Sequence, residues 1–160
     1  MCKFRAVTEN DFEDICKLIH SREALFLVYP NGKYPLTVNQ LKELGKTRKE
    51  LTVAMDGNKI IGFANLYNCE PGGSAFIGNV IIEKNYRGRG IGEKLISHMQ
   101  KTAFHVYNFQ ELKISVFNKN VQALLLYAKL GFIPYGIEER TDPKGNRVAL
   151  IHMNLQHQSI

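Results

Sequence analysis

The sequence predicts an α+β fold: a mixed, partly splayed β-sheet of about seven strands with about four helices. Three observations carry this. Short apolar segments alternate with period two, amphipathic segments with helical period lie between them, and glycine, proline and asparagine clusters mark the joints. Their order is β α α β β β α β α β β. Strands that follow one another directly can close as hairpins, and the two strands separated by a helix, residues 76–82 and 112–117, should be parallel neighbours.

Residues 3–7 read as the first strand. Thr8 then offers an N-cap, Glu9 and Asp11 suit a helix N-terminus, and Phe12, Ile15, Cys16 and Ile19 recur at helical spacing. Residues 21–35 look less regular and carry the aromatics Phe26, Tyr29 and Tyr34. Thr37 and Gln40 have capping-box spacing for a short second helix, which Gly45 can end. Leu51, Val53 and Met55 alternate, Asp56-Gly57-Asn58-Lys59 supplies a turn, and residues 60–66 return as the second arm of a hairpin. After Pro71-Gly72-Gly73, residues 76–82 are almost continuously apolar, as in a central strand covered on both faces. Ile91, Leu95, Met99 and Ala103 mark a third helix, and Leu112, Ile114 and Val116 a further strand. Val121, Leu124, Leu125 and Ala128 mark a fourth helix, stopped by Gly131. Residues 135–139 and 148–155 close the chain as a hairpin around Asp142-Pro143-Lys144-Gly145.

Residues 1–160 fit a single domain with room for a core. Hydrophobic content of 44% and charged content of 22% are ordinary for a soluble globular protein. The net charge of +6 suits an anionic partner, a nucleotide or a nucleic acid, although a solvated surface accounts for most such excesses. No arginine-aromatic stripe marks a nucleic-acid groove. Cys2, Cys16 and Cys69 form no CxxC pair and read as reduced thiols. No apolar leader follows Met1, and the longest apolar stretch, residues 123–128, is far too short to span a bilayer. The expected location is the cytoplasm, away from membrane.

The chemistry concentrates in Arg87-Gly88-Arg89-Gly90-Ile91-Gly92, between an apolar strand and an amphipathic helix. Glycines let backbone approach a ligand, and a helix start offers unpaired N–H groups and partial positive charge to a phosphate. Arg87 and Arg89 add charge there. A dinucleotide fingerprint would need glycine or alanine at Glu93, and the chain has no GxxxxGK[ST] loop.

With Tyr86 before it, this segment resembles the acetyl-CoA signature of the GNAT superfamily of acyl-CoA-dependent N-acyltransferases, (R/Q)xxGx(G/A), filled by Arg87, Gly90 and Gly92. A second block matches downstream: Asn120, Ala123, Leu126-Tyr127 and Leu130-Gly131-Phe132. The spacing of the blocks and the strand order match as well. The resemblance implies that acetyl-CoA serves as cosubstrate, without a metal, and that a primary amine attacks it directly in a ternary complex. Backbone N–H groups of Arg87, Gly88, Arg89, Gly90, Ile91 and Gly92 would hold the pyrophosphate. Val80, Ile81 and Ile82 would pair with pantetheine where their strand diverges from its neighbour, Asn120 would hydrogen-bond the cosubstrate, and Tyr127 would protonate the departing thiolate. Homodimers over a sheet edge are common in similar proteins. Two departures stand out. Lys84 replaces a frequent proline, and Asn79, Val80 and Ser115 occupy positions where many relatives carry a glutamate base.

Other constellations are weaker. By periodicity alone, Tyr127 would be a core aromatic. Phe26, Tyr29 and Tyr34 suit either an acceptor pocket or packing of a long connection. His98 and His105 read as exposed surface, since no carboxylate or thiol completes a metal set. Ser74 follows two glycines, but Phe76 breaks a GxSxG elbow. Glu138 and Glu139 could meet a cationic acceptor, though a solvated hairpin is the simpler reading. The expected function is amine N-acetylation. The alternatives are an acyl-CoA-binding module without turnover and a basic nucleic-acid-associated protein.

Overall fold

The computed structural model describes residues 2–158. Seven strands, β1 (Cys2–Ala6), β2 (Lys49–Asp56), β3 (Lys59–Tyr67), β4 (Ser74–Ile82), β5 (Glu111–Phe117), β6 (Ile133–Thr141) and β7 (Arg147–Gln156), form one sheet in the order β1-β2-β3-β4-β5-β7-β6. Only β4 and β5 pair in parallel; the other pairs are antiparallel. The α-helices are α1 (Phe12–Cys16), α2 (Arg22–Val28), α3 (Val38–Gly45), α4 (Ile91–Lys101) and α5 (Val121–Lys129).

Alternation along β3 shows how the layers form. Phe63 packs with Ile15, Leu25 and Leu41 from the first three helices. Ala64 and Leu66 point the other way, among Leu95, Ile96 and Met99 of α4. The sheet is therefore covered on both faces, with α1 to α3 on one and α4 and α5 on the other. Among the described residues, no helix is long and apolar enough to cross a membrane.

Several local expectations need correction. The irregular stretch after Ser21 contains a helix, α2: the Ser21 Oγ accepts from the Ala24 N–H at 3.0 Å, and Leu25 is fully buried. The capping box of α3 is only half made. Thr37 Oγ1 accepts from the Gln40 N–H, but the Gln40 amide turns back to the Lys33 and Pro35 backbone. α1 stops at Cys16, so Ile19 enters the core from a turn. α5 does not present the expected stripe: Tyr127 is its one buried residue, while Val121, Leu125 and Ala128 are exposed. α4 ends in a π-helical turn over Thr102–Val106, which turns His105 edge-on to His157 while His98, half-buried, stacks on Phe4 at 4.6 Å. Burial pushes the His98 pKa down. The two histidines share no exposed face.

β1 is tied to the turn before α1 by an ion pair. Arg5 Nη1 and Nη2 donate to the Asp11 carboxylate at 2.7 and 2.9 Å, and the Thr8 N–H donates to it at 2.7 Å. Arg5 above all holds the Asp11 pKa at about 2. A depressed folded-state pKa contributes stability above the unfolded value and loses it as pH falls through the folded one. We expect Asp11→Asn to cost about 1 to 2 kcal/mol at neutral pH, after allowing for the half-exposed arginine, and the difference to fade between roughly pH 4 and pH 2. Urea melts across that window check it; a constant difference would remove the ion pair from the account.

Candidate active site

The site begins where two strands part. β4 and β5 are paired only from Ser74↔Glu111 to Ile77↔Ile114, although both run on. Just beyond the last pair, Asn79 adopts a left-handed backbone with φ 51°. It is the extra residue of a β-bulge: β3 advances from Phe63 to Asn65 while β4 passes from Ile81 to Gly78. Its side chain fixes the distortion from two sides. Asn65 Nδ2 donates to Asn79 Oδ1 at 2.9 Å, and Asn79 Nδ2 donates to the Val28 carbonyl at 2.8 Å. Beyond Ile77, the edge of β4 facing β5 has no strand partner among the described residues. The expected parallel, diverging pair is present.

An apolar cavity of about 510 Å³ opens in the gap, between α2, the end of β4 and the facing ends of α4 and α5. The glycine loop forms its mouth. Gly88 and Gly90 have φ of 78° and 79°, and a Cβ built on either meets nothing within 4 Å. Both therefore serve backbone conformation and leave open space in front of the chain. Gly90 caps α4, whose first N–H groups lack intrahelical partners. Gly92 works differently: its Cβ would lie 3.2 Å from Leu126 Cδ2, so its smallness lets α5 close on α4. Val80, Ile81, Ile82, Arg87, Gly88, Gly90, Ile91, Gly92, Asn120 and Tyr127 all line this cavity, and Arg89 does not. The Arg89 guanidinium stacks over Tyr86 at 5.0 Å, and Tyr86 donates its hydroxyl to Asp56 at 2.7 Å. Leu125, exposed on α5, belongs to the cavity wall.

A second, polar cavity of about 340 Å³ continues from the first. Leu27, Val28, Val80, Asn120 and Tyr127 line both. Asn120 is the N-cap residue of α5, yet its side chain makes no capping bond, which leaves the amide available at this junction. Tyr127 is 5% exposed, and burial pushes its hydroxyl far above the ordinary value. The hydroxyl has no hydrogen-bond partner among the described residues, while the ring packs edge-on to Phe132.

Beside the polar cavity, Ser115 and Glu138 are joined by His152, a residue that sequence reasoning missed. Ser115 Oγ lies 2.7 Å from His152 Nδ1, and His152 Nε2 lies 3.2 Å from Glu138 Oε1. Arg140 and His152 beside Glu138 hold its carboxylate below the usual range. A signal existed. His152 follows Val148 and Leu150 at period two, where the row turns from apolar to polar, but its partner Ser115 becomes visible only through the β5–β7 register. Arg48 also lines the cavity, 3.9 Å over the Tyr67 ring. Among the aromatics, Tyr29 lines this cavity, Phe26 instead stacks on Phe117 at 4.5 Å, and Tyr34 lies elsewhere. Glu139 faces outward and pairs with Arg147 at 2.7 Å.

Comparison with known proteins follows the same lines. The model of the acetyltransferase (GNAT) family matches residues 13–132. A spermine/spermidine N(1)-acetyltransferase of Bacillus subtilis (strain 168) is 26% identical over 80 residues, 46% of this chain and 52% of its own length. The chain thus spans about half the length of the curated relatives it matches first. Among solved structures, spermidine N-acetyltransferase from Vibrio cholerae, in complex with CoA and spermine, superposes with a TM-score of 0.81. It is 23% identical, over 97% of this chain and 95% of that one. IAA acetyltransferase from Bacillus cereus ATCC 14579 superposes with a TM-score of 0.70 at 22% identity, over 98% and 100% of the two chains. These likenesses establish the shared fold.

Proposed function

The chain belongs to the acetyltransferase (GNAT) family, and from that premise we propose that it is a single-domain cytoplasmic enzyme moving an acetyl group from acetyl-CoA to a primary amine. The observation that carries the reading is the junction of the two cavities at Asn120 and Tyr127. One cavity suits a long, largely apolar thioester arm ending in a phosphorylated nucleotide. The other suits a polar acceptor.

The chain fits acetyl-CoA in three respects. Gly88 and Gly90 leave open space before the α4 N-terminus, where backbone N–H groups and the helix dipole receive pyrophosphate, with Arg87 alongside. Arg89 adds long-range charge there while its side chain rests on Tyr86. The free edge of β4 around Val80, Ile81 and Ile82 offers its backbone to the amides of the pantetheine arm, and Asn120 adds a side-chain amide. The cosubstrate supplies an activated acetyl carbon and a thiol leaving group.

The protein's part is proton management and positioning. Burial keeps Tyr127 protonated, so it enters the reaction as a donor aimed at the charge that develops on sulfur as the C–S bond breaks. With His152 Nε2–H donating to Glu138, Nδ1 accepts from Ser115, and the Ser115 oxygen faces the cavity as a relay for the proton that leaves the attacking nitrogen. The count closes: one proton leaves nitrogen toward His152, one reaches sulfur from Tyr127, and solvent in the polar cavity, which both side chains line, restores them. The acceptor class of the relatives, polyamines by name, is one candidate for this pocket.

The homodimer expectation points to β6, an edge strand. Ile133, Tyr135 and Ile137 lie along it and are 66%, 49% and 75% exposed. We propose that two copies pair over this edge. Light scattering should give twice the chain mass for the wild type and one chain mass for Ile137→Lys; a wild-type monomer at working concentration refutes the pairing.

Gly90 separates charge from shape at the phosphate loop. Asparagine and aspartate both tolerate positive φ and fill the same space, but only aspartate opposes an anion. Saturating acetyl-CoA should stabilise the wild type by about 2.7 kcal/mol at one hundred times Kd. Gly90→Asp should lose nearly all of that and Gly90→Asn only part of it, as read by thermal melts. Equal retention in both variants would reassign the loop.

Removing the Tyr127 hydroxyl tests turnover itself. Because that hydroxyl has no hydrogen-bond partner among the described residues, Tyr127→Phe should change stability by no more than about 0.5 kcal/mol. It should lower kcat by roughly tenfold to a thousandfold with little change in acetyl-CoA affinity, and His152→Gln should lower kcat by about tenfold or more. An unchanged kcat in Tyr127→Phe returns the tyrosine to a packing role. An acetyl group found on Ser115 by mass spectrometry rejects direct attack, and bound acetyl-CoA with no CoA release across an amine panel favours a binding module.

A further inference from the structure

Resting on the transferase reading, the structure points to the class of acceptor: we propose that the polar cavity takes a small amine bearing an acid group, an amino acid or a close analogue, whose carboxylate pairs with Arg48. The charge of the walls carries this. The guanidinium groups of Arg48 and Arg140 line the cavity, and among the described residues no aspartate or glutamate does. Glu138, just behind the wall, is already engaged by Arg140 and His152. Such walls repel a second ammonium and attract an oxyanion.

Arg48 is held by Tyr67 and not by a carboxylate. Burial lowers its pKa, and the titratable groups facing it are the neutral phenols of Tyr29 and of Tyr67, the latter also its hydrogen-bond partner. It makes no ion pair with a carboxylate among the described residues, and its buried Nη1 has no hydrogen-bond partner. A half-buried guanidinium with an unmatched N–H is costly to maintain, and a bound carboxylate would satisfy it through a charge-assisted hydrogen bond. Its position is fixed by packing. The guanidinium carbon stands 3.9 Å from the Tyr67 ring centroid, and a Cβ on Gly78 would lie 3.0 Å from Nη1. Glycine at 78 makes room first for the Tyr67 ring, whose Cδ1 a Cβ would approach to 2.6 Å, and then for the guanidinium stacked on it.

Distance along the cavity sets the shape of the acceptor. Ser115 lies beside the Tyr67 hydroxyl, so one aromatic ring separates Arg48 from the proton relay. An acid group on Arg48 and an amine at Ser115 then belong to one small molecule, with the acid only a few bonds from the nitrogen.

Matched pairs of amino acids and their decarboxylated amines test this, because each pair shares side chain and nucleophile. With acetyl-CoA saturating, the acid-bearing member of at least one pair should have the higher kcat/KM by about ten- to a hundredfold. In Arg48→Gln the ratio should fall to near one, with Arg48→Lys between, since lysine keeps the charge but loses the fork. Melts with acetyl-CoA confirm that each variant is folded. Binding to the CoA-loaded wild type, followed by ligand-observed NMR, reads the site without turnover. Preference for decarboxylated amines or for spermidine overturns the proposal, as does a carboxylate preference that survives in Arg48→Gln, or absence of binding by every acid-bearing amine. CoA binding and CoA release on any amine are scored separately, so loss of the transferase reading is distinguishable from loss of this one.

Discussion

The left-handed turn of one strand residue governs the rest of the site. A non-glycine residue at φ 51° costs of order 1 kcal/mol, and asparagine tolerates it better than most. Here the cost is offset by two side-chain hydrogen bonds, from Asn65 and to Val28. They lock the bulge to the neighbouring strand and to the end of α2 at once. With Asn79 so held, β4 cannot continue alongside β5. The gap, the unpaired backbone edge and the junction between the cavities all follow from that single displacement.

Parting the strands creates a problem that the helices solve. A gap through the middle of a sheet exposes apolar surface on both sides. α2 covers one side with Ala24, Leu27 and Val28, and α5 covers the other with Leu125, Leu126 and Tyr127. The exposure of Leu125 belongs to this arrangement: it is apolar area that a ligand arm can bury, at roughly 25 cal/mol per Å². Gly92 matters for the same reason, since a Cβ there would crowd the Leu126 side chain at 3.2 Å where α5 closes on α4.

The sequence made the order of elements along the chain, the glycine loop and the helix after Asn120 legible because each depends on local chemistry: alternation, left-handed glycines and a helix start. What escaped depends on relations between distant residues. α2 was hidden because its apolar residues Ala24, Leu25, Leu27 and Val28 run together without clean spacing, and only the Ser21 cap announces it. The bulge could not be read, because Asn79 in an apolar run looks like a tolerated polar residue until Asn65 and Val28 are placed beside it. His152 acquires meaning from Ser115, 37 residues away. Arg48, in the basic run Lys46-Thr47-Arg48-Lys49, looks like solvated charge until Tyr67 is laid beneath it.

In the proposed reaction Tyr127 must be buried and reactive together. Burial comes from Phe132, which the chain reaches by ending α5 at Gly131, with φ 100°, and folding back so that the Phe132 N–H donates to the Tyr127 carbonyl at 3.0 Å. The same burial raises the hydroxyl's pKa, so the proton stays on oxygen until a charge appears close by. Such a group contributes little before sulfur begins to carry negative charge and most when that charge is largest. That difference between ground state and transition state is what accelerates a reaction. Under the proposed role, the burial that makes Tyr127 a poor acid in isolation would also strengthen its hydrogen bond to a charge at the junction, through the low local dielectric.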